Sequence, residues 1–161
     1  TCILTSTYVR ALETARIIGQ CVGVTPTPLY HLVEVGWPTR LIGKSLFGLS
    51  ALLFLCRSVV FRNDPHSRYE DAENFSDIFR RIQTSFRYIE SLTEAHDSIV
   101  VVSHSEYIRL MVLYMCHDER LSLRELLSVL LSVNSLKNGE IVHVEYVGPT
   151  PTGTCPWILH T

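Results

Sequence analysis

The stretch Ser98 to Met111, SIVVVSHSEYIRLM, constrains the fold more than any other part of the chain. Ile99-Val100-Val101-Val102 is a run of β-branched residues that suits a strand buried on both faces. Ser103 and Ser105 are helix-capping residues, and Ile108, Met111, Val112 and Met115 follow at helical spacing. A strand therefore ends, the chain turns, and a helix begins, with His104 at the turn. In an open parallel sheet ligands bind at the carboxyl ends of the strands. A helix amino terminus behind His104 also offers free N–H groups and partial positive charge to an anion. His104 is thus a candidate site residue, and a solvated loop His or a satisfied core His is the alternative reading.

A second unit of the same kind opens the chain. Cys2-Ile3-Leu4-Thr5 reads as a strand, and Ser6 and Thr7 follow as helix-start residues. Ala11, Ala15, Ile18 and Val22 form an apolar stripe with Leu12 beside it, and Gly23 stands where a left-handed cap ends a helix. Arg10 lies in the first turn, where the helix dipole disfavours a cation. A local rule broken in that way is what an anion site produces; an Arg reaching outward into water is the plainer alternative.

Between and after these units the chain alternates in character. Thr25 to Leu32 carries two prolines and reads as an extended connection or edge strand. Glu34 follows in LVEVGW, and Gly36 to Phe61 is a loop and then an apolar helix. Leu46 to Cys56 is the most apolar window. At 11 residues it is far short of the ~20 that cross a bilayer, so it reads as a buried helix, with a partner-binding or membrane-surface helix as the alternative. Arg62 to Asp71 is a polar surface loop and the expected mobile segment. Ala72 to His96 is a helix with Phe75, Ile78, Phe79, Ile82, Phe86, Ile89 and Leu92 on its apolar face, which leaves Arg80, Arg81 and Arg87 as solvated surface. Ser122 to Leu131 is a short helix with a capping box at Ser122 and Glu125. Glu140 to Val147 alternates like a strand after a Lys137-Asn138-Gly139 turn, and Trp157-Ile158-Leu159 closes antiparallel to it.

Strands alternating with helices define an α/β class: a three-layer sandwich, its mainly parallel sheet flanked by helices, with antiparallel end strands, in one domain over residues 1–161. A formal net charge of −2 with no Lys/Arg run argues against a nucleic-acid binder. Nothing in the sequence calls for a membrane. Five scattered Cys without metal spacing read as reduced, buried thiols of a cytoplasmic protein. Thr1 in place of Met, with no signal-peptide pattern, reads as a piece of a longer chain.

Arg10, His104 and the carboxylate of Glu34 make a sensible kit for a phosphoryl group. Arg grips two phosphate oxygens in a fork, His donates a hydrogen bond while protonated, and a neutral carboxylic acid protonates a leaving oxygen.

Two segments carry a family resemblance. ILTSTYVRALETA (Ile3 to Ala15) resembles the segment of the histidine phosphatase superfamily, the phosphoglycerate-mutase-like group, that usually reads S-S-x-x-x-R-A-x-Q-T-A. IVVVSHSEYIRLM resembles its second signature, V-V-S-H-G-G-x-I-R. LVEVG is similar to the loop bearing the family's acid, and SLKNGEIVHVEY and PWILH to its last two strands. The resemblance implies that Arg10 holds the phosphate with Ser105 beside it. It implies that His104 donates to a phosphoryl oxygen, and that Glu34 is general acid and then base. It further implies a phosphohistidine, formed without metal or cofactor, on a phosphorylated small molecule or phosphoprotein.

The departures from the pattern are specific. No R-H-G occurs in the sequence, so the family's first strand and its nucleophile are expected upstream of Thr1, and Ser105-Glu106 replace Gly-Gly. Without that strand, the strands at Cys2 and Ile99 are each expected to lose a neighbour. The alternative function is a non-catalytic phosphate-binding or interaction module, and the Leu46–Cys56 segment offers an interface for a homodimer.

Overall fold

A computed structural model describes residues 1–41, 48–61, 64, 66–67, 70–115, 136–148 and 155–160. Its central element is strand β1 (Cys2–Ser6). It pairs in parallel with β2 (Thr27–Leu29) on one side and with β3 (Ile99–Val102) on the other. Ile3, Leu4, Thr5 and Ser6 are completely buried, as a central strand requires. The strand at Cys2 therefore keeps both neighbours, contrary to expectation, because it pairs directly with the strand at Ile99. Among the described residues β3 has β1 as its one ladder partner. Its four residues are accordingly half-buried rather than enclosed on both faces.

Helix α1 (Val9–Val22) packs on β1 through Ala11, Ala15 and Gly19. The buried stripe thus runs through small residues, while Ile18 is half-buried and Val22 is exposed. Gly19 is required by a close approach: a Cβ there would lie 2.4 Å from the Val24 carbonyl oxygen. Gly23 ends the helix in the left-handed region (φ +71°), and Val24 N–H donates to the Gly19 carbonyl at 3.0 Å. Tyr8, not Ser6 or Thr7, is the N-cap, and Ser6 Oγ accepts from Tyr8 N–H instead.

The apolar window forms α2 (Leu49–Val60) but does not bury itself. Phe54 packs with Leu41 and Ala72, whereas Leu49 (73% exposed), Leu53 and Val60 face outward. The expected buried helix is corrected on this point: among the described side chains Phe54 is buried, and Leu49, Leu53 and Val60 are exposed. Of the Arg62–Asp71 loop, Asp71 is described as holding Thr39 through its backbone N–H and hydroxyl. The Ser122–Leu131 helix lies outside the described residues.

Helix α3 (Phe75–Leu92) is shorter than the expected Ala72–His96, and Asn74 caps it by accepting from Asp77 N–H at 2.8 Å. Ile78, Ile82 and Ile89 bury as expected, with Phe79 and Phe86 half-buried beside them. They meet Leu4, Leu32 and Tyr107 in the main core. A residue such as Ile82, fully buried there, contributes about 1.5–3 kcal/mol relative to exposure. Arg81 breaks expectation: it is buried on the core face of α3, not solvated. Helix α4 (Ser105–Tyr114) follows β3 and buries Tyr107, Leu110, Met111 and Tyr114.

Beyond the Lys137–Glu140 turn, β4 (His143–Tyr146) pairs antiparallel with β5 (Trp157–His160) as a two-stranded ladder. Val144, Tyr146 and Trp157 join the same core. The fold is thus mixed α/β, a parallel sheet flanked by helices with an antiparallel pair. The cysteines depart from the expected set of buried thiols. Cys21 and Cys56 are free but exposed on the outer faces of α1 and α2, and Cys155 is disulfide-bonded. Among the described residues no helix is long and apolar enough to cross a membrane.

Candidate active site

Because β1, β2 and β3 are parallel neighbours, their carboxyl ends lie on one edge of the sheet. Each delivers one of the candidate residues there. β1 leads through Ser6 into α1 and Arg10. β2 runs through a 3₁₀ turn, Tyr30–Leu32, to Glu34. β3 ends at Ser103 and His104, the latter being the N-cap of α4. Ser103 Oγ donates to the Leu32 carbonyl at 2.7 Å and so ties the end of β3 to the turn after β2.

The structure brings these groups together. Arg10 Nε–H donates to His104 Nδ1 at 3.1 Å, and His104 Nε2 lies 2.8 Å from Ser6 Oγ. The Tyr8 ring meets the His104 ring edge-on at 5.1 Å and lies under the Arg10 guanidinium at 5.4 Å. Glu34 Oε1 accepts from two backbone donors, Val35 N–H at 3.1 Å and Tyr107 N–H at 3.2 Å in the first turn of α4. Ser105 Oγ is buried and makes no hydrogen bond among the described residues.

These contacts fix the protonation of the imidazole. Nδ1 accepts a hydrogen bond from a guanidinium that cannot give up its charge, so the ring proton is on Nε2 and is donated to Ser6 Oγ. Burial (His104 is 4% exposed) and then the Arg10 and Arg81 charges hold the His104 pKa down to about 4. The ring is therefore a neutral donor through Nε2, not the imidazolium that the sequence suggested. Glu34 moves the other way. Burial raises its pKa, and the Glu106 charge adds to this. The Val35 and Tyr107 amides and Arg10 oppose it. Glu106 is itself half-exposed and pairs with Arg109 at 3.6 Å.

Arg81, Ser6 and Tyr8 are the contributors that the sequence reading missed. Arg81 did leave a trace: positions 78, 81, 82, 85 and 89 share the buried face of α3, so its place on the helix marked it as interior although its charge did not. Ser6 had a weaker signal, as a polar residue at the end of a central strand. Tyr8 had none beyond its nearness to Arg10. No group of three or more His, Cys, Asp or Glu suited to hold a metal occurs among the described residues.

The α/β domain thus gathers Arg10, His104 and the protected Glu34 carboxyl at the carboxyl edge of its parallel strands. The sequence model of the histidine phosphatase superfamily (branch 1) matches residues 1–146, and the chain belongs to that family. Comparison with curated proteins gives no match. Membership supports a phosphoryl-transfer type of function for the domain.

Proposed function

We propose that this domain acts on a phosphomonoester through a phosphohistidine, with Arg10 gripping the phosphoryl oxygens, His104 and Ser105 donating to them, and Glu34 serving as general acid. The observation that carries this reading is the convergence of Arg10, His104 and Glu34 on one edge of the sheet. Arg10 spends only Nε on His104, which leaves its two terminal nitrogens for a forked contact with phosphate. Glu34 receives both backbone donors on Oε1, so Oε2 is the oxygen that carries the transferable proton. Burial raises its pKa, the direction that suits a general acid. A dianionic phosphoryl group beside His104 would raise the imidazole pKa and favour a second proton on Nδ1, which then donates to the phosphoryl group in place of accepting from Arg10 Nε. None of the residues assigned here is the nucleophile.

The test is turnover of p-nitrophenyl phosphate by the full-length protein, with acid quench to trap a phosphohistidine. Turnover lost in His104→Ala and Glu34→Gln supports the reading; an active protein indifferent to both rejects it. A second reading, a phosphate-binding module without turnover, draws on Ser105-Glu106 standing where the family pattern has Gly-Gly. Binding of inorganic phosphate with no turnover in the full-length protein would select it.

A further inference from the structure

Among the described residues the Arg81 guanidinium makes five polar contacts, three to backbone carbonyls of the segment that carries Glu34 and two to Glu73. Its Nε and Nη2 grip the two Glu73 oxygens at 2.8 and 2.7 Å. Nη1 donates to the carbonyls of His31 at 3.1 Å and Val33 at 2.5 Å, and Nη2 reaches that of Glu34 at 3.5 Å. The guanidinium lies over the Tyr107 ring at 4.4 Å. Tyr107 is the residue whose backbone N–H holds the Glu34 carboxylate, and its hydroxyl is pinned at 3.0 Å by Ser85, one turn along α3 from Arg81. Glu73 closes the far end: its Oε2 accepts from Gly36 N–H, and its own N–H donates to the Gly36 carbonyl.

We propose that Arg81, braced by Glu73, is a positioning residue that fixes the Glu34 carboxyl at the amino terminus of α4 by holding both partners of the Glu34–Tyr107 contact. The proposal rests on the reading of Glu34 as the acid. A burial this deep needs a reason, because a charge on a core face is costly unless every donor is used. Here the guanidinium fork is used on three backbone carbonyls and one carboxylate, and its flat face on an aromatic ring. Only a planar, multidentate cation can do all of this at once; a lysine ammonium would satisfy a subset and lose the stacking. Among the described residues the three carbonyls belong to a segment that forms no strand or helix beyond the 3₁₀ turn. Its path, and with it the aim of the Glu34 side chain, is held from α3 through Arg81 and from the end of β3 through Ser103.

The deciding measurement is the Tyr107 amide in ¹⁵N-resolved NMR spectra of the full chain as pH is varied, since that N–H reports the titration of the carboxylate it bonds. Arg81→Lys is compared with Ile89→Ala, a core truncation about two turns along the same helix that removes none of the Arg81 hydrogen bonds. Glu73→Gln, which keeps an acceptor for the guanidinium, serves should Arg81→Lys not fold. Arg81→Lys should cut the pH-dependent shift of the Tyr107 amide at least about twofold and move its midpoint toward that of an ordinary glutamate, while Ile89→Ala keeps both. Glu73→Gln should move both in the same direction by less. In turnover, Arg81→Lys should lower kcat about tenfold with KM held within about twofold. A wild-type Tyr107 response in Arg81→Lys, or an equal loss in Ile89→Ala, overturns the proposal. Absence of turnover in the wild-type protein would remove the acid role of Glu34 and leave the amide response to decide the positioning separately.

Discussion

The β1–α1 and β3–α4 units follow one plan, a parallel strand that turns into a helix, yet they dress their helix starts differently. α1 has no acidic residue in its first turn and places Arg10 there. α4 has Glu106 in its first turn, and its Tyr107 N–H is taken by the Glu34 carboxylate. One helix start thus adds positive charge to a positive dipole end, and the other is already satisfied by carboxylates. On the proposed reading the contrast divides labour at the site: the anion is to be gripped from the α1 side and the proton managed from the α4 side. His104 stands between, bonded to Arg10 on one nitrogen and to Ser6 on the other.

The largest effect that would break this division is on Glu34. Glu34→Gln keeps an oxygen for the Val35 and Tyr107 amides, so the thermal midpoint should stay nearly unchanged. The transferable proton is gone, and kcat on a phosphomonoester should fall by roughly 10²–10⁴, the span typical of a positioned acid. An active Glu34→Gln would place the acid elsewhere. Next comes Arg10. Arg10→Ala should weaken inorganic phosphate, read by calorimetry, by about 2–3 kcal/mol, or roughly 30- to 150-fold. Glu34→Gln should leave that affinity nearly as it was. If both variants lose affinity equally, anion and proton are not handled on separate sides.

The pH dependence of stability separates the two sides by sign. His104 has its native pKa pulled down to about 4 from 6.5, so the unfolded chain binds its proton first as pH falls. Stability should drop between about pH 6.5 and pH 4, on the order of 3 kcal/mol at full extent. Glu34 has its native pKa raised, so its contribution is present at low pH and is lost as pH rises through that raised value. Urea unfolding across this range should show His104→Gln removing the acid-side loss and Glu34→Gln removing the opposite slope.

Both units were legible in the sequence because their signals are local. A β-branched run, a turn, a helical stripe and a capping glycine each act over a few residues, and the two signatures sit on those turns. Arg10, His104 and Ser105 were named from them and Glu34 from the LVEVG loop, and the structure places all four at the carboxyl edge of the sheet. What stayed hidden depends on long-range partners. The place of Arg81 on the α3 stripe marked it as interior, but the His31, Val33 and Glu34 carbonyls that satisfy its charge come from some fifty positions away, and no local pattern carries those partners. The α2 window was misjudged for the converse reason. Its composition is apolar on every side, and composition cannot tell which side the rest of the chain will cover. Gly19 rather than Ile18 on the buried face of α1 follows from the close return of the chain at Val24, again a tertiary fact.

The smallest effect concerns Ser105, whose hydroxyl contrasts with that of Ser6. Ser6, the last residue of β1, spends its hydroxyl on His104 and on Tyr8 N–H. Ser105 Oγ is buried and unbonded among the described residues. A buried hydroxyl without a partner costs about 1–3 kcal/mol of desolvation, and an apolar group of similar size removes that cost. Ser105→Ala should therefore raise the unfolding free energy by about 1 kcal/mol, whereas Ser6→Ala should lower it by a similar amount by stranding the His104 Nε2–H. Phosphate affinity gives the opposite ranking. If Ser105 donates to the phosphoryl group, Ser105→Ala should weaken phosphate about three- to tenfold even as it stabilises the fold, a pairing of stability gained and binding lost that marks a group held ready for a ligand. Loss of stability in Ser105→Ala would show that the hydroxyl already has a partner in the folded protein, and its assignment to the phosphate site would fall with that result.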